Sequence, residues 1–137
     1  MNPFQPTEEE AMSAVLGSML LSSDDPQRLC AFYADALGLE SGRSPDGQYS
    51  FLNVGGFFVM FDHRDDVSGR TKEPGRAIFN IHVDDVPEAA ARFEKAGATW
   101  LAPPEDRDGS WFATAIDPDG NYVQLMHVSE EERARMG

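Results

Sequence analysis

The chain has 137 residues, of which 41% are hydrophobic and 26% charged, and its formal net charge is −13. This composition is typical of one compact domain, or of two small modules that share a core. No apolar run reaches the roughly 18 to 20 residues of a membrane-spanning helix, and no signal peptide is apparent at the acidic start, so we expect a cytoplasmic protein without a membrane partner. The lack of any basic cluster argues against nucleic acid as a partner.

The net negative charge has two interpretations, because it can keep the protein soluble or attract a cationic ligand. The single cysteine, Cys30, excludes an intrachain disulfide and a cysteine-rich metal site. Cys30 lies in an apolar helical pattern, which favours a buried, unreactive thiol over a nucleophile.

The first predicted elements are a strand and a helix of about three turns. Alternating apolar residues lead into Asp24-Asp25-Pro26, an N-cap signal followed by proline at the first helical position. Apolar residues then recur at helical spacing, and Gly38 can end the helix in a left-handed conformation. Material for strands and hairpins follows, with QYSFLNV and FFVMFD on either side of Gly55-Gly56.

The second half repeats this order of elements. A strand leads into Asp84-Asp85, a helix with Pro87 near its start follows, and Gly97 closes it. Three strands come next, TWLAP, SWFATAI and NYVQLMHV, and the turn Asp117-Pro118-Asp119-Gly120 joins the last two. Both halves therefore have the order β-α-β-β-β, which indicates an internal repeat.

The sequence thus predicts an α+β fold of two tandem βαβββ modules. The modules span residues 13–62 and 77–128, and the polar segment 63–76 links them. Residues 1–12 and 129–137 are assigned to tails, and the second tail can add a short helical turn.

Strand alternation divides the predicted sheets into two faces. One face is apolar and suited to packing on the helices. The other face mixes aromatic, aliphatic and polar side chains, as a ligand cavity does, although a face buried against a second subunit has a similar composition. Its members are Ser18, Leu20, Ser22, Phe58, Met60, Asp62, Ile78, Asn80, His82, Tyr122, Gln124 and Met126. Hairpin pairing places Trp111 beside Met126 on this face, and a register slip of one residue would substitute Phe112.

The segments FYADALGL, HVDDVPEAAARFEKAGA and DPDGNYVQLM resemble the vicinal oxygen chelate superfamily, which includes glyoxalases, bleomycin-resistance proteins and extradiol dioxygenases. The resemblance covers roughly residues 14–128. It implies a curved mixed-sheet cup with helices on its outer face, completed in a homodimer or by swapped modules. In metal-dependent members, four cup-facing positions hold a divalent ion. They correspond here to Ser18, Met60, Ile78 and Gln124, and only Gln124 among them could coordinate a metal.

The resemblance and these substitutions together predict a metal-free binding protein without a cofactor, similar to the bleomycin-resistance branch. It would sequester an aromatic or cationic organic molecule, and this activity would serve antibiotic resistance. The predicted ligand-binding residues are Ser18, Phe58, Met60, Asp62, Asn80, His82, Trp111, Tyr122, Gln124 and Met126.

Two alternatives stay open at this point. The chain could be an enzyme of the same superfamily, a lyase, isomerase or dioxygenase, with a displaced metal site at His82, Gln124 and Asp62 or with His82 or Asp62 as a general base. It could also be an accessory protein whose sheet face is mainly a dimer contact. The remaining histidines, His127 and His63, are predicted to be structural and solvated, respectively.

Overall fold

A computed structural model describes residues 13–136, so the predicted N-terminal tail and Gly137 lie outside the described part of the chain. The first module contains β1 (Ser18–Ser22), α1 (Pro26–Leu37), β2 (Gly42–Arg43), β3 (Ser50–Val54) and β4 (Phe57–Asp62). The second contains β5 (Phe79–His82), α2 (Val86–Ala96), β6 (Thr99–Arg107), β7 (Ser110–Ile116) and β8 (Tyr122–His127). A 3₁₀ turn, Pro74–Arg76, lies between the modules, and α3 (Glu130–Met136) follows the second.

Each module forms a four-stranded mixed sheet. The strand orders are β1-β4-β3-β2 and β5-β8-β7-β6. The first strand of each module lies parallel to the last, and the other neighbours are antiparallel. The predicted α+β fold of two tandem βαβββ modules is therefore confirmed. Among the described residues, no helix is both long and apolar enough to cross a bilayer.

The two long helices begin and end where the sequence predicts. The side chain of Asp25 accepts a hydrogen bond from the N–H of Arg28, and that of Asp85 accepts one from the N–H of Glu88, each at 3.1 Å. These bonds satisfy N–H groups that have no partner inside the helix. At the other ends, Gly38 and Gly97 have φ angles of 67° and 112°, which a residue with a side chain rarely adopts.

The helix-facing sides of both sheets meet in one hydrophobic core. Helices α1 and α2 pack against each other, and Tyr33 of α1 lies where the modules join. Its ring centroid is 6.1 Å from that of Phe61 in β4, 5.7 Å from Phe79 in β5 and 6.3 Å from Phe93 in α2. The apolar face that strand alternation predicts lies on this side of the sheets, with these residues: Phe57, Val59, Phe61, Phe79, Ile81, Val83, Val123 and Leu125.

The linker is held against both modules. The N–H of Gly69 donates to Asp24 Oδ2, which lies just before α1. The N–H of Thr71 donates to the backbone oxygen of Asp119 at 2.9 Å, and Arg70 Nη1 donates to that of Pro118 at 3.3 Å. The linker therefore connects the start of α1 to the β7–β8 turn.

Candidate ligand-binding site

We use "cup face" for the side of the two sheets that lies opposite the helices. In the first module this face is largely apolar. Leu20, Met60 and Phe51 lie side by side across β1, β4 and β3. The ring centroids of Phe51 and Phe58 are 5.8 Å apart, a distance typical of a favourable aromatic pair. This half of the cup face offers aromatic and thioether surface to a ligand.

Phe51 was not singled out in the sequence, although strand alternation from Leu52, which is buried, would have placed it on this face. Its ring lies directly over Gly42 of β2, where a Cβ atom would come within 2.5 Å of the ring. Any side chain at position 42 would therefore displace Phe51. Gly42 thus leaves the space that the Phe51 ring occupies.

The far end of this half carries a hydrogen-bonded polar pair. Ser22 Oγ donates to Asp62 Oδ1 at 2.6 Å, and both residues lie at the ends of their strands. The carboxylate of Asp62 is therefore already engaged through one oxygen. Its other oxygen could still accept a hydrogen bond from a ligand cation.

In the second module the cup face carries a row of neutral polar side chains. Asn80, Gln124 and Thr114 lie side by side across β5, β8 and β7. Thr114 is almost fully buried, with 9% of its surface exposed, whereas Asn80 is exposed. Amide and hydroxyl groups both donate and accept hydrogen bonds, so this row can fix the orientation of a polar group on a ligand.

The neighbouring row contains His82, Met126 and Phe112. The guanidinium carbon of Arg107 lies 5.2 Å from the centre of the Phe112 ring, which is a cation–π contact. That contact already uses one face of Phe112. A cationic ligand would therefore have to compete with Arg107 for this ring.

The predicted pairing of Trp111 with Met126 is wrong. Met126 pairs with Phe112, and Trp111 pairs with His127 and packs towards the helix-side core. The register follows from the β7–β8 turn, because the N–H of Asp117 donates to the backbone oxygen of Asn121 at 3.0 Å and closes the loop around three residues. Phe112, the one-residue alternative, is therefore the aromatic residue on the cup face.

Two further predicted residues lie at the edges of the site. Tyr122 pairs with Ile116, and the linker passes beside its ring, since a Cβ built on Gly75 would lie 3.9 Å from it. Ser18 is exposed at the start of β1. Ile78, a third residue that the sequence assigns to this face, precedes β5 and is 43% exposed.

The side chains at the four positions that hold the metal in metal-dependent members do not fit a divalent cation. They offer one hydroxyl, one thioether, one alkyl group and one neutral amide, at Ser18, Met60, Ile78 and Gln124 respectively. Hard divalent ions require several carboxylate, imidazole or carbonyl donors. Within residues 13–136, no three His, Cys, Asp or Glu side chains are grouped closely enough to hold an ion.

The two remaining histidines and the cysteine lie away from the cup face. His127 Nδ1 is 3.2 Å from the backbone oxygen of Val83, so this ring links β8 to the end of β5. His63 is largely exposed, 3.9 Å from Asp65. Cys30 is buried, and burial raises the pKa of its thiol, which keeps it protonated and unreactive.

A buried contact between the modules supports the site and was not predicted. Tyr33 Oη donates to Asp117 Oδ2 at 2.7 Å, and the other carboxylate oxygen accepts from the N–H groups of Asp119 and Asn121, both at 2.9 Å. The pKa of Asp117 is raised by burial, and the hydrogen bonds from Tyr33 and Asn121 offset only part of that rise. Burial, followed by the nearby carboxylate, raises the pKa of Tyr33 well above its usual range. Asp117 thus holds the turn that sets the register of Gln124 and Met126.

Comparisons with known proteins agree with this architecture. A family model described as "Glyoxalase-like domain" matches residues 18–126. No curated protein matches the chain.

Solved structures of similar fold cover most of the chain. A hypothetical protein from S. aureus has a TM-score of 0.70 at 19% identity, covering 88% of this chain and 98% of its own. A glyoxalase/bleomycin resistance protein/dioxygenase family enzyme from Burkholderia phytofirmans PsJN has a TM-score of 0.69 at 22% identity, with coverages of 85% and 100%. A lactoylglutathione lyase from Agrobacterium tumefaciens has a TM-score of 0.60 at 27% identity, with coverages of 84% and 93%.

Proposed function

The chain belongs to the glyoxalase-like domain family of the vicinal oxygen chelate superfamily, and on that premise we propose that it binds a small aromatic or cationic organic molecule on its cup face without a metal ion. One observation carries the proposal. The positions that hold the metal in metal-dependent members carry Ser18, Met60, Ile78 and Gln124, which together lack the donors of a divalent site. The cup face keeps the mixed surface of a ligand site.

The distribution of side chains indicates what kind of ligand fits. The apolar half, with Phe51, Phe58 and Met60, suits a flat aromatic group. The polar row around Gln124 suits a hydrogen-bonding substituent. A positive charge on the ligand would be attracted by the net charge of −13 and by the carboxylate of Asp62. Such a ligand also fits the proposed role in resistance to a toxic compound.

The role of Gln124 is testable once a ligand is found by screening cationic and aromatic compounds for thermal stabilisation, because only a molecule that binds the folded state raises its melting temperature. Gln124→Ala is expected to weaken binding about tenfold, the loss of roughly one hydrogen bond at about 1.4 kcal/mol. Its free energy of unfolding should change by less than about 1 kcal/mol. Calorimetric titration measures the first quantity and urea unfolding the second.

A matched control is Gln48→Ala, which removes the same side chain from an exposed loop. This variant should bind the ligand as the unaltered protein does. Equal affinities for Gln124→Ala and Gln48→Ala would show that Gln124 does not contact the ligand.

Catalysis is the second candidate function. It is favoured by His82, which is exposed on the cup face, and by the likeness at 27% identity to a protein named as a lactoylglutathione lyase. His82 or Asp62 would then act as a general base, or His82, Gln124 and Asp62 would share a displaced ion. Turnover of a bound compound that disappears in His82→Ala but persists in His63→Ala would favour this function over sequestration.

A further inference from the structure

A cavity lies on the opposite side of the sheets from the cup face. It has a volume of about 370 Å³, is partly open to solvent, and is bordered by α1, the β3–β4 hairpin and β5; we call it the helix-side cavity. Its floor is formed by three buried residues, Tyr33, Leu52 and Val59, and its walls include Leu37 and Phe79. We propose that the helix-side cavity binds a neutral aromatic molecule of about two rings that carries a single hydrogen-bonding group. This site is separate from the cup face and does not depend on the function proposed there.

The size of the helix-side cavity sets the size of the ligand. An apolar cavity of about 150 Å³ in another protein stays dry and binds benzene. The present cavity is more than twice as large, and it lies within the range of about 300 to 1,000 Å³ that is usual for small-molecule sites. Two fused or linked rings therefore fit where a single ring would leave unfilled space.

The lining determines that the ligand is uncharged. No Asp, Glu, Lys or Arg side chain lines the cavity, and most of its surface is apolar. Tyr33 contributes its aromatic ring and no free donor, because its hydroxyl hydrogen is already donated to Asp117 at 2.7 Å. A charged group would lose its hydration without gaining a partner inside. The rings of Tyr33, Phe57 and Phe79 favour aromatic ligands.

One polar feature borders the cavity, the outer edge of β5. Four consecutive β5 residues, 79–82, line the cavity. Because side chains of a strand alternate between its two faces, consecutive residues can border one space only along the strand's edge. Among the described strands, β5 pairs with β8 alone. The N–H of Val83 donates to the backbone oxygen of Met126 at 2.9 Å, and successive residues of a strand direct their backbone groups to opposite sides. The backbone groups of Asn80 and His82 therefore point away from β8, where one carbonyl or hydroxyl group of a ligand can meet them.

The proposal can be tested with 6-propionyl-2-(dimethylamino)naphthalene, a neutral two-ring ketone whose emission shifts to shorter wavelength in an apolar site. We expect saturable binding with such a shift. Val54→Trp, at the half-buried end of β3, would fill the cavity and raise the Kd at least tenfold. Leu101→Trp places the same side chain at an exposed position of β6, outside the cavity, and should leave the Kd within twofold.

A second measurement uses the unaltered protein, so it does not depend on whether Val54→Trp folds. Methyl resonances of Leu52, Val59 and Ile81 should shift as the ketone is added, and their shifts should saturate with the Kd that the emission gives. Shifts confined to Leu20 and Met60 would assign the compound to the cup face and overturn the proposal. An absence of shifts at saturating compound, or an unchanged Kd in folded Val54→Trp, would overturn it as well.

Discussion

Replacing Asp117 with alanine is expected to lower the free energy of unfolding by about 3 kcal/mol or more. Asp117 is 2% exposed, and its carboxylate accepts hydrogen bonds from Tyr33 Oη and from the backbone N–H groups of Asp119 and Asn121. Removing the acceptor leaves the buried Tyr33 hydroxyl and two partly buried N–H groups without this partner, at about 1 kcal/mol or more each. Each buried unsatisfied group costs about 1 to 3 kcal/mol. Chemical denaturation followed by far-ultraviolet circular dichroism measures the change.

Two variants separate the parts of this contact. Tyr33→Phe removes only the hydrogen bond from Tyr33 to Asp117 and should cost about 1 to 2 kcal/mol. Asp117→Asn keeps the shape and one acceptor oxygen, so its loss should lie between those of Tyr33→Phe and Asp117→Ala. A loss below about 1 kcal/mol for Asp117→Ala would contradict the assignment of this residue as the group that holds the turn and joins the modules.

Replacing Phe61 with alanine is expected to cost about 3 to 5 kcal/mol, the usual range for removing a large buried aromatic side chain. Phe61 is 0% exposed and stacks against Tyr33 at the junction of the modules. The surrounding rings cannot collapse fully into the space that the side chain leaves. Urea unfolding monitored by tryptophan fluorescence provides the measurement.

Phe58→Ala is the matched control, since it removes the same side chain from the opposite face of the same strand. Phe58 is only partly buried and pairs with Phe51 on the cup face. Its loss should therefore cost clearly less than that of Phe61. If Phe58→Ala were the more destabilising variant, the core and the cup face would have been exchanged in our description.

Features determined by short-range chemistry could be predicted from the sequence. Asp25 and Gly38 mark the ends of α1 because an N-cap carboxylate and a left-handed glycine act within a few residues of the chain. The two sheet faces follow from alternation alone, and Phe61 and Leu125 are fully buried, as an apolar row on the helix side should be. The family resemblance, carried by the same segments, is confirmed.

The position of Trp111 could not be predicted in the same way. Alternation assigns residues to two rows, but the side on which a row lies depends on how many residues the hairpin loop contains. The side-chain bonds of Asp117 and the pairing of Asp117 with Asn121 decide that number, and the segment DPDGN alone permits more than one closure. The predicted register of β7 against β8 was wrong by one residue, so Trp111 was placed where Phe112 lies.

Contacts between the modules could not be predicted from the sequence. The bond from Tyr33 to Asp117 joins residues 84 positions apart, and its formation depends on how the two modules pack. The same is true of the helix-side cavity, whose floor and walls come from both modules. Periodicity describes each strand or helix singly, so it carries no information about a space between them.

The central claim, a cup face that works without a metal ion, is tested most directly by metal content. Purified untagged protein would be analysed as isolated and again after incubation with Fe²⁺, Mn²⁺, Ni²⁺, Co²⁺ and Zn²⁺ followed by desalting. We expect far less than one ion per chain in every case, because Ser18, Met60 and Ile78 cannot complete a site around Gln124. Retention of one ion per chain that is lost in His82→Ala would contradict the claim and place a displaced metal site on the cup face.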